Sequence, residues 1–129
     1  MIDCLIIGDS IAEGIKQHRP ECVLHAQRGI TSSSYNKRWP QAVQANTTII
    51  SLGSNDTDSI RTLWELQQLR ARVTAQQVYW ILPANDTGIQ HMIRVLARDH
   101  GDVVLGFVPS RDRVHPTQRT YKQLAKQTK

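Results

Sequence analysis

Five short apolar runs punctuate the chain: Cys4 to Ile7, Cys22 to His25, Thr48 to Leu52, Val78 to Leu82 and Val103 to Val108. Each is rich in Ile, Val and Leu, lacks strict alternation, and is bounded by glycine or polar residues. That pattern predicts strands buried on both faces, as in a parallel sheet. Between the runs the apolar residues fall at helical spacing. The clearest helix is predicted over 59–76, where Ile60, Leu63, Trp64, Leu66, Leu69 and Val73 form one stripe and Asp58 or Ser59 serves as cap. A second is predicted over 87–99, with Ile89, Met92, Ile93 and Leu96 on one face and His100-Gly101 ending it. A third starts at Pro116 and turns Tyr121, Leu124 and Ala125 inward. Shorter helices are expected over 11–18 and 35–45, and Trp64 and Trp80 are assigned to the core. Strands alternating with helices at this length predict an α/β three-layer α/β/α sandwich: a five-stranded parallel sheet of flavodoxin-like order 2-1-3-4-5. In such sheets ligands sit at the carboxyl ends of the strands, beside the point where strand order reverses.

Composition narrows the picture without changing it. At 129 residues, with no low-complexity tract or Pro/Gly-rich linker, the chain reads as a single domain spanning 1–129. The N-terminus, MIDCLIIGDS, has neither the basic start nor the long apolar stretch of a signal peptide. The expectation is synthesis in the cytoplasm without a signal peptide and with no membrane span, leaving later export or virion association open, as would suit a phage or bacterial protein. Cys4 and Cys22 lie in two predicted strands and share no metal-ligand spacing. Buried reduced thiols are the expected state, and a disulfide stays open because the strands can be neighbours. The net charge of +5 resides in the tail, where Arg111, Arg113, Arg119, Lys122, Lys126 and Lys129 face Asp112 alone. A basic face attracts anionic partners, but no aromatic residues are interleaved to stack bases, which argues against nucleic acid.

The candidate chemistry sits at the strand ends. The first strand ends in Gly8-Asp9-Ser10, the second leads to Gln27-Arg28-Gly29, and the third ends in Gly53-Ser54-Asn55-Asp56. The fourth ends in Pro83-Ala84-Asn85-Asp86 and the fifth in a loop running from Pro109 to Pro116. GDSIAEGIK is no phosphate loop: the glycine spacing is wrong, an isoleucine precedes Lys16, and Gln17 replaces the hydroxyl residue. Nor does a serine at position 10 fit the plan of an α/β-hydrolase elbow. A nucleophile, a base, an orienting acid and oxyanion donors are nevertheless all available. Ser10 opens a helix, where its own N–H can face a developing oxyanion. His115 is placed to take the Ser10 proton, Asp112 to orient the imidazole, and Gly29 and Asn55 to complete the oxyanion hole.

These blocks resemble the SGNH hydrolase family, also called GDSL esterases. Gly8-Asp9-Ser10 matches the first block, Gly29 the second, Gly53-Ser54-Asn55-Asp56 the third, and Asp112-Arg113-Val114-His115-Pro116 the last. The order holds over nearly the whole chain. Two departures stand out: Ile11 replaces the leucine or phenylalanine near the serine, and the second block reads QRGITSSS. The resemblance implies Ser10 as nucleophile, His115 as base, Asp112 as its partner, and Ser10, Gly29 and Asn55 as oxyanion contacts. It implies hydrolysis of esters or thioesters without cofactor or metal.

Asp9 and Asp56 are read as structural, bonding loop N–H groups or capping helices. SNDT at 54–57 recurs as ANDT at 84–87, which makes Asn85 a pocket-lining candidate and Asn55 the better oxyanion donor. Trp39, Arg111 and Arg113 are further lining candidates, whereas His18, His25, His91 and His100 lack a partner at triad or metal spacing. The expectation is a compact serine esterase acting on a small-molecule or carbohydrate ester with a short acyl group, acetyl on a carbohydrate being the leading case. Long-chain lipase or thioesterase activity is the weaker enzyme reading. From another class, the alternative is a non-catalytic glycan- or anion-binding module on the same fold. Oligomeric state is not readable.

Overall fold

The computed structural model describes residues 2–129. Strands β1 (Ile2–Gly8), β2 (Val23–Ala26), β3 (Val43–Ser51), β4 (Val73–Ile81) and β5 (Val103–Leu105) form one sheet in the order β2-β1-β3-β4-β5. Every neighbouring pair is parallel. Helices α1 (Ser10–Lys16) and α5 (Gln118–Gln127) cover one face, and α2 (Ser32–Arg38), α3 (Ile60–Ala71) and α4 (Thr87–His100) cover the other. The three-layer sandwich and its strand order are those the apolar runs predict.

Side-chain alternation explains why those runs are unbroken. Leu5 and Ile7 of β1 point into one core with Ile50, Leu52 and Trp80, under α2, α3 and α4. Cys4 and Ile6 point the opposite way and join Ile49, Ile81, Ile11, Ile15 and Leu124 under α1 and α5. A strand covered on both faces has no polar side, so a period of two disappears from the sequence. Each such fully buried Ile or Leu contributes about 1.5–3 kcal/mol of transfer free energy.

Three local expectations fail, for long-range reasons. The helix expected over 59–76 ends at Ala71, and the one expected over 35–45 is α2, ending at Arg38. β3 and β4 take up the difference because their polar N-terminal halves pair with each other, Val43 opposite Val73 and Thr47 opposite Gln77. Trp64, assigned to the core, is 47% exposed, and Ile60 is 86% exposed. The face of α3 turned inward is instead Thr62, Glu65, Leu66 and Leu69. Glu65 tolerates burial because Asn36 Nδ2 donates to its carboxylate at 2.9 Å and Arg61 bonds it at 2.8–2.9 Å.

The third correction concerns the cysteines, which are not reduced thiols. Leu5 pairs with Val23 in the β1–β2 ladder, so the preceding residues, Cys4 and Cys22, stand side by side with Cα atoms 4.7 Å apart and form a disulfide. The closed loop contains all of α1 and Ser10. A bridge across a loop of this size contributes about 3 kcal/mol, chiefly by restricting the unfolded chain. Replacing both cysteines by alanine is expected to lower the unfolding free energy by about that amount, read from urea titrations of the oxidised native protein and the variant. Identical midpoints would refute the clamp.

Candidate active site

The sheet register brings three loops to one edge. Gly8 ends β1 level with Ala26 of β2 and Ser51 of β3. The Asp9 N–H donates to the Ser51 carbonyl at 3.1 Å, and the Gln27 N–H donates to the Gly8 carbonyl at 3.0 Å. This is the switch point, since β2 lies to one side of β1 and β3 to the other. Gly8 is required there: its φ is +149° and a Cβ would lie 1.9 Å from the Ser51 carbonyl oxygen.

Ser10 is the first residue of α1, with Asp9 as N-cap accepting from the Ile11 N–H at 3.0 Å. His115 lies on the loop after β5. Its Nε2 is 2.8 Å from the Ser10 hydroxyl, and its Nδ1 is 2.6 Å from Asp112 Oδ2. A carboxylate only accepts, so Nδ1 carries the proton and Nε2 is left to accept from Ser10. The separation of 105 positions between serine and histidine is bridged by the fold alone.

The Asp112 loop is built to hold this geometry. Asp112 Oδ1 accepts from the N–H groups of Val114 and His115, both at 2.8 Å, and from the Ser110 hydroxyl at 3.2 Å. The Ser110 N–H donates to the His115 carbonyl at 2.8 Å, closing the turn, and Arg113 takes a left-handed φ of +64°. Hydrogen bonds from the His115 N–H, the Val114 N–H and the imidazole hold the Asp112 carboxyl well below the ordinary carboxylate range. Asp112 therefore stays ionised wherever the imidazole needs a partner. Both side chains are about half exposed, 41% for His115 and 50% for Asp112, so the relay opens directly to solvent.

Gly29 follows β2 at a φ of +77°, exposed, in the turn closed by the Ile30 N–H donating to Gln27 at 3.2 Å. Asn55, also exposed, donates from Nδ2 to the Ile30 carbonyl at 3.2 Å and so ties the third block to the second. Asp56 accepts from the Ser32 N–H at 2.9 Å and from the Ser32 hydroxyl, anchoring the same two loops to each other. Asn85, exposed, donates to the Ser54 carbonyl at 3.1 Å. Arg111 and Arg113 are exposed beside Asp112. Trp39 is engaged elsewhere: its ring stacks on Tyr35 at 4.9 Å and His25 at 5.8 Å, with the Arg38 guanidinium 4.5 Å from its centroid.

Two features go beyond what the residues predict. A cavity of about 300 Å³ adjoins Asn55, lined by Thr31, Ser33, Thr57, Ser59 and Arg61 among others; the TSSS run after Gly29 is its sequence trace. The second is Asp9, which is completely buried with one carboxylate oxygen, Oδ2, lacking a partner. Burial raises its pKa to about 6 against the pull of the Ile11 and Ala12 N–H groups and of nearby His115. A folded-state pKa above the unfolded value adds stability fully present below about pH 4 and lost as pH rises through about 6. Asp9→Asn is expected to lack that fall, so that the difference between native and variant stability changes by on the order of 2–3 kcal/mol over that range. Denaturant titrations of both proteins at stepped pH measure it, and parallel curves would refute a burial-raised Asp9.

The parallel strand order with helices on both faces is the fold of the SGNH, or GDSL, hydrolases. Among solved structures, a GDSL-like lipase from Bacteroides thetaiotaomicron superposes with a TM-score of 0.70 at 17% identity, over 97% of this chain and 86% of that one. A protein assigned as an acylhydrolase from Bacteroides fragilis matches with a TM-score of 0.71 at 16% identity, over 96% and 83% of the two chains. A two-domain esterase active on acetylated mannans matches with a TM-score of 0.64 at 13% identity, over 97% of this chain and 47% of its own. No family model and no curated protein matches the sequence.

Proposed function

We propose that the protein is a serine esterase for short acyl groups carried on hydroxyl-rich alcohols, O-acetylated carbohydrate above all. The observation that carries this reading is the unbroken relay from Ser10 through His115 to Asp112 at the sheet's switch point. Ser10 Oγ attacks the ester carbonyl as His115 Nε2 takes its proton. The oxyanion that forms faces the Ser10 N–H at the start of α1, the Gly29 N–H and the Asn55 amide. An amide has two N–H bonds, so Asn55 can keep Ile30 with one and offer the other. Protonation of the alcohol by His115 leaves an acyl-serine, and His115 then activates water to release the acid. A non-catalytic binding module would have no need of this relay.

The preference for short acyl chains is supported by the open setting of the triad, and that for a sugar by the hydroxyl-lined cavity next to Asn55. The fold is shared with an esterase active on acetylated mannans. The Cys4–Cys22 bridge supports a site of action in an oxidising compartment. No helix among the described residues is long and apolar enough to cross a membrane.

The test is hydrolysis of p-nitrophenyl esters from acetate to octanoate, followed by acetate release from acetylated and deacetylated mannan. kcat/KM should be highest for acetate and fall with chain length. No turnover of any ester, with no labelling by a fluorophosphonate, would reject the esterase. Asn55→Ala is expected to lower kcat on the acetate ester by about 10² to 10³ with KM little changed. An unchanged kcat would remove Asn55 from the oxyanion hole.

A further inference from the structure

The outer side of α5 carries a cavity of about 650 Å³, against about 300 Å³ for the one beside Asn55. It is within the range typical of ligand sites. Its lining includes His18, Arg119, Lys122, Gln123, Lys126 and Lys129, with no acidic residue and no member of the triad. Positions 119, 122 and 126 recur at helical spacing of three and four, so the cations form one stripe, which Lys129 extends past the helix end. The opposite face, with Tyr121, Leu124 and Ala125, is buried on α1. Gly14 makes that crossing possible, since a Cβ there would lie 2.3 Å from the Tyr121 ring.

The stripe is not neutralised from within. The ion pairs among the described residues involve Arg19, Arg61, Arg70, Arg98 and His115, none of the α5 cations. Glu21, whose carboxylate feels Lys129, is already held by Arg19 at 2.7 Å. Like charges three and four residues apart repel and weaken a helix. The row is therefore a charge concentration that an anionic ligand would relieve.

We infer that this cavity is a second binding site, distinct from the triad, and that its ligand is an anionic polysaccharide. Cations spaced along a helix suit a chain of regularly repeated carboxylates or sulfates. The aliphatic stems of the lysines supply apolar surface for the faces of sugar rings. Nucleic acid fits less well, because no Phe, Tyr or Trp lines the cavity to stack a base. A membrane surface fits less well too, because the apolar side of α5 faces the core and leaves nothing to insert.

The experiment is isothermal titration of the full chain with a short galacturonate oligomer, a neutral mannan oligomer, and a thymidine oligonucleotide matched to the first in charge. Galacturonate should bind, the neutral oligomer should not, and binding should weaken as salt is raised. Lys122→Glu with Lys126→Glu should lower galacturonate affinity by about tenfold or more. Turnover of p-nitrophenyl acetate, which does not use these residues, should be unchanged, and both variants should still unfold cooperatively. The milder pair Lys122→Gln with Lys126→Gln should fall between, and serves if charge reversal perturbs folding. Absence of galacturonate binding, or full binding by both paired variants, would overturn the site. Oligonucleotide binding as tight as that of galacturonate would overturn the choice of ligand.

Discussion

Ser10→Ala is expected to lower ester turnover by at least about 10⁴-fold and to abolish fluorophosphonate labelling, while the melting profile stays close to that of the native protein. The magnitude follows from how triads behave as units, in which loss of the nucleophile removes nearly all of the covalent pathway and leaves only binding and oxyanion stabilisation. Stability is spared because the helix cap is Asp9, whose carboxylate accepts from the Ile11 N–H; the Ser10 hydroxyl bonds only His115. That separation of roles makes the test clean. A variant that retained native turnover would show that hydrolysis, where seen, does not pass through Ser10.

The second large effect is expected at Asp112. Asp112→Asn should lower kcat by up to about 10⁴, with the protein remaining folded. Asparagine keeps an oxygen that can accept from the Val114 and His115 N–H groups, so the turn can survive. Its amide, presented to Nδ1, donates where the carboxylate accepts, and the imidazole is driven to the tautomer that cannot take the Ser10 proton. Asp112→Ala removes the turn's hydrogen bonds as well and should also destabilise the loop that positions His115. Comparing kcat with the urea midpoint for the two variants separates the roles. Equal kcat in Asp112→Asn and the native protein would place the orienting acid elsewhere.

Other groups near the site differ in how much their neighbours decide for them. Asp9 and Asp112 are both carboxylates within a few ångströms of hydrogen-bonding backbone. Asp9, buried with an unpartnered oxygen, is shifted up, whereas Asp112, solvated and gripped by two N–H groups and a ring, is shifted down. Opposite shifts on one residue type let the relay acid remain charged while its neighbour takes up a proton near pH 6.

Much was determined by the sequence alone. The doubly buried strands, the order of the four motif blocks, the placement of Ser10 at a helix start and the Asp112–His115 spacing are written locally, in side-chain direction and turn chemistry. Local patterns persist whatever the rest of the chain does, which is why α4 follows from them; the strand order 2-1-3-4-5 agrees with the arrangement expected of alternating strands and helices. Tertiary structure decided what depends on register and on which helix face meets which neighbour. The one-residue alignment of β1 with β2 joins Cys4 to Cys22. Partners on α2 and α3 allow Glu65 to be buried in place of Trp64. Pairing between β3 and β4 converts polar stretches into strand, and the crossing of α5 over Gly14 sets its cations outward around one cavity. Each depends on residues far apart in the chain, whose meeting is fixed by the packing of the whole sheet and its helices.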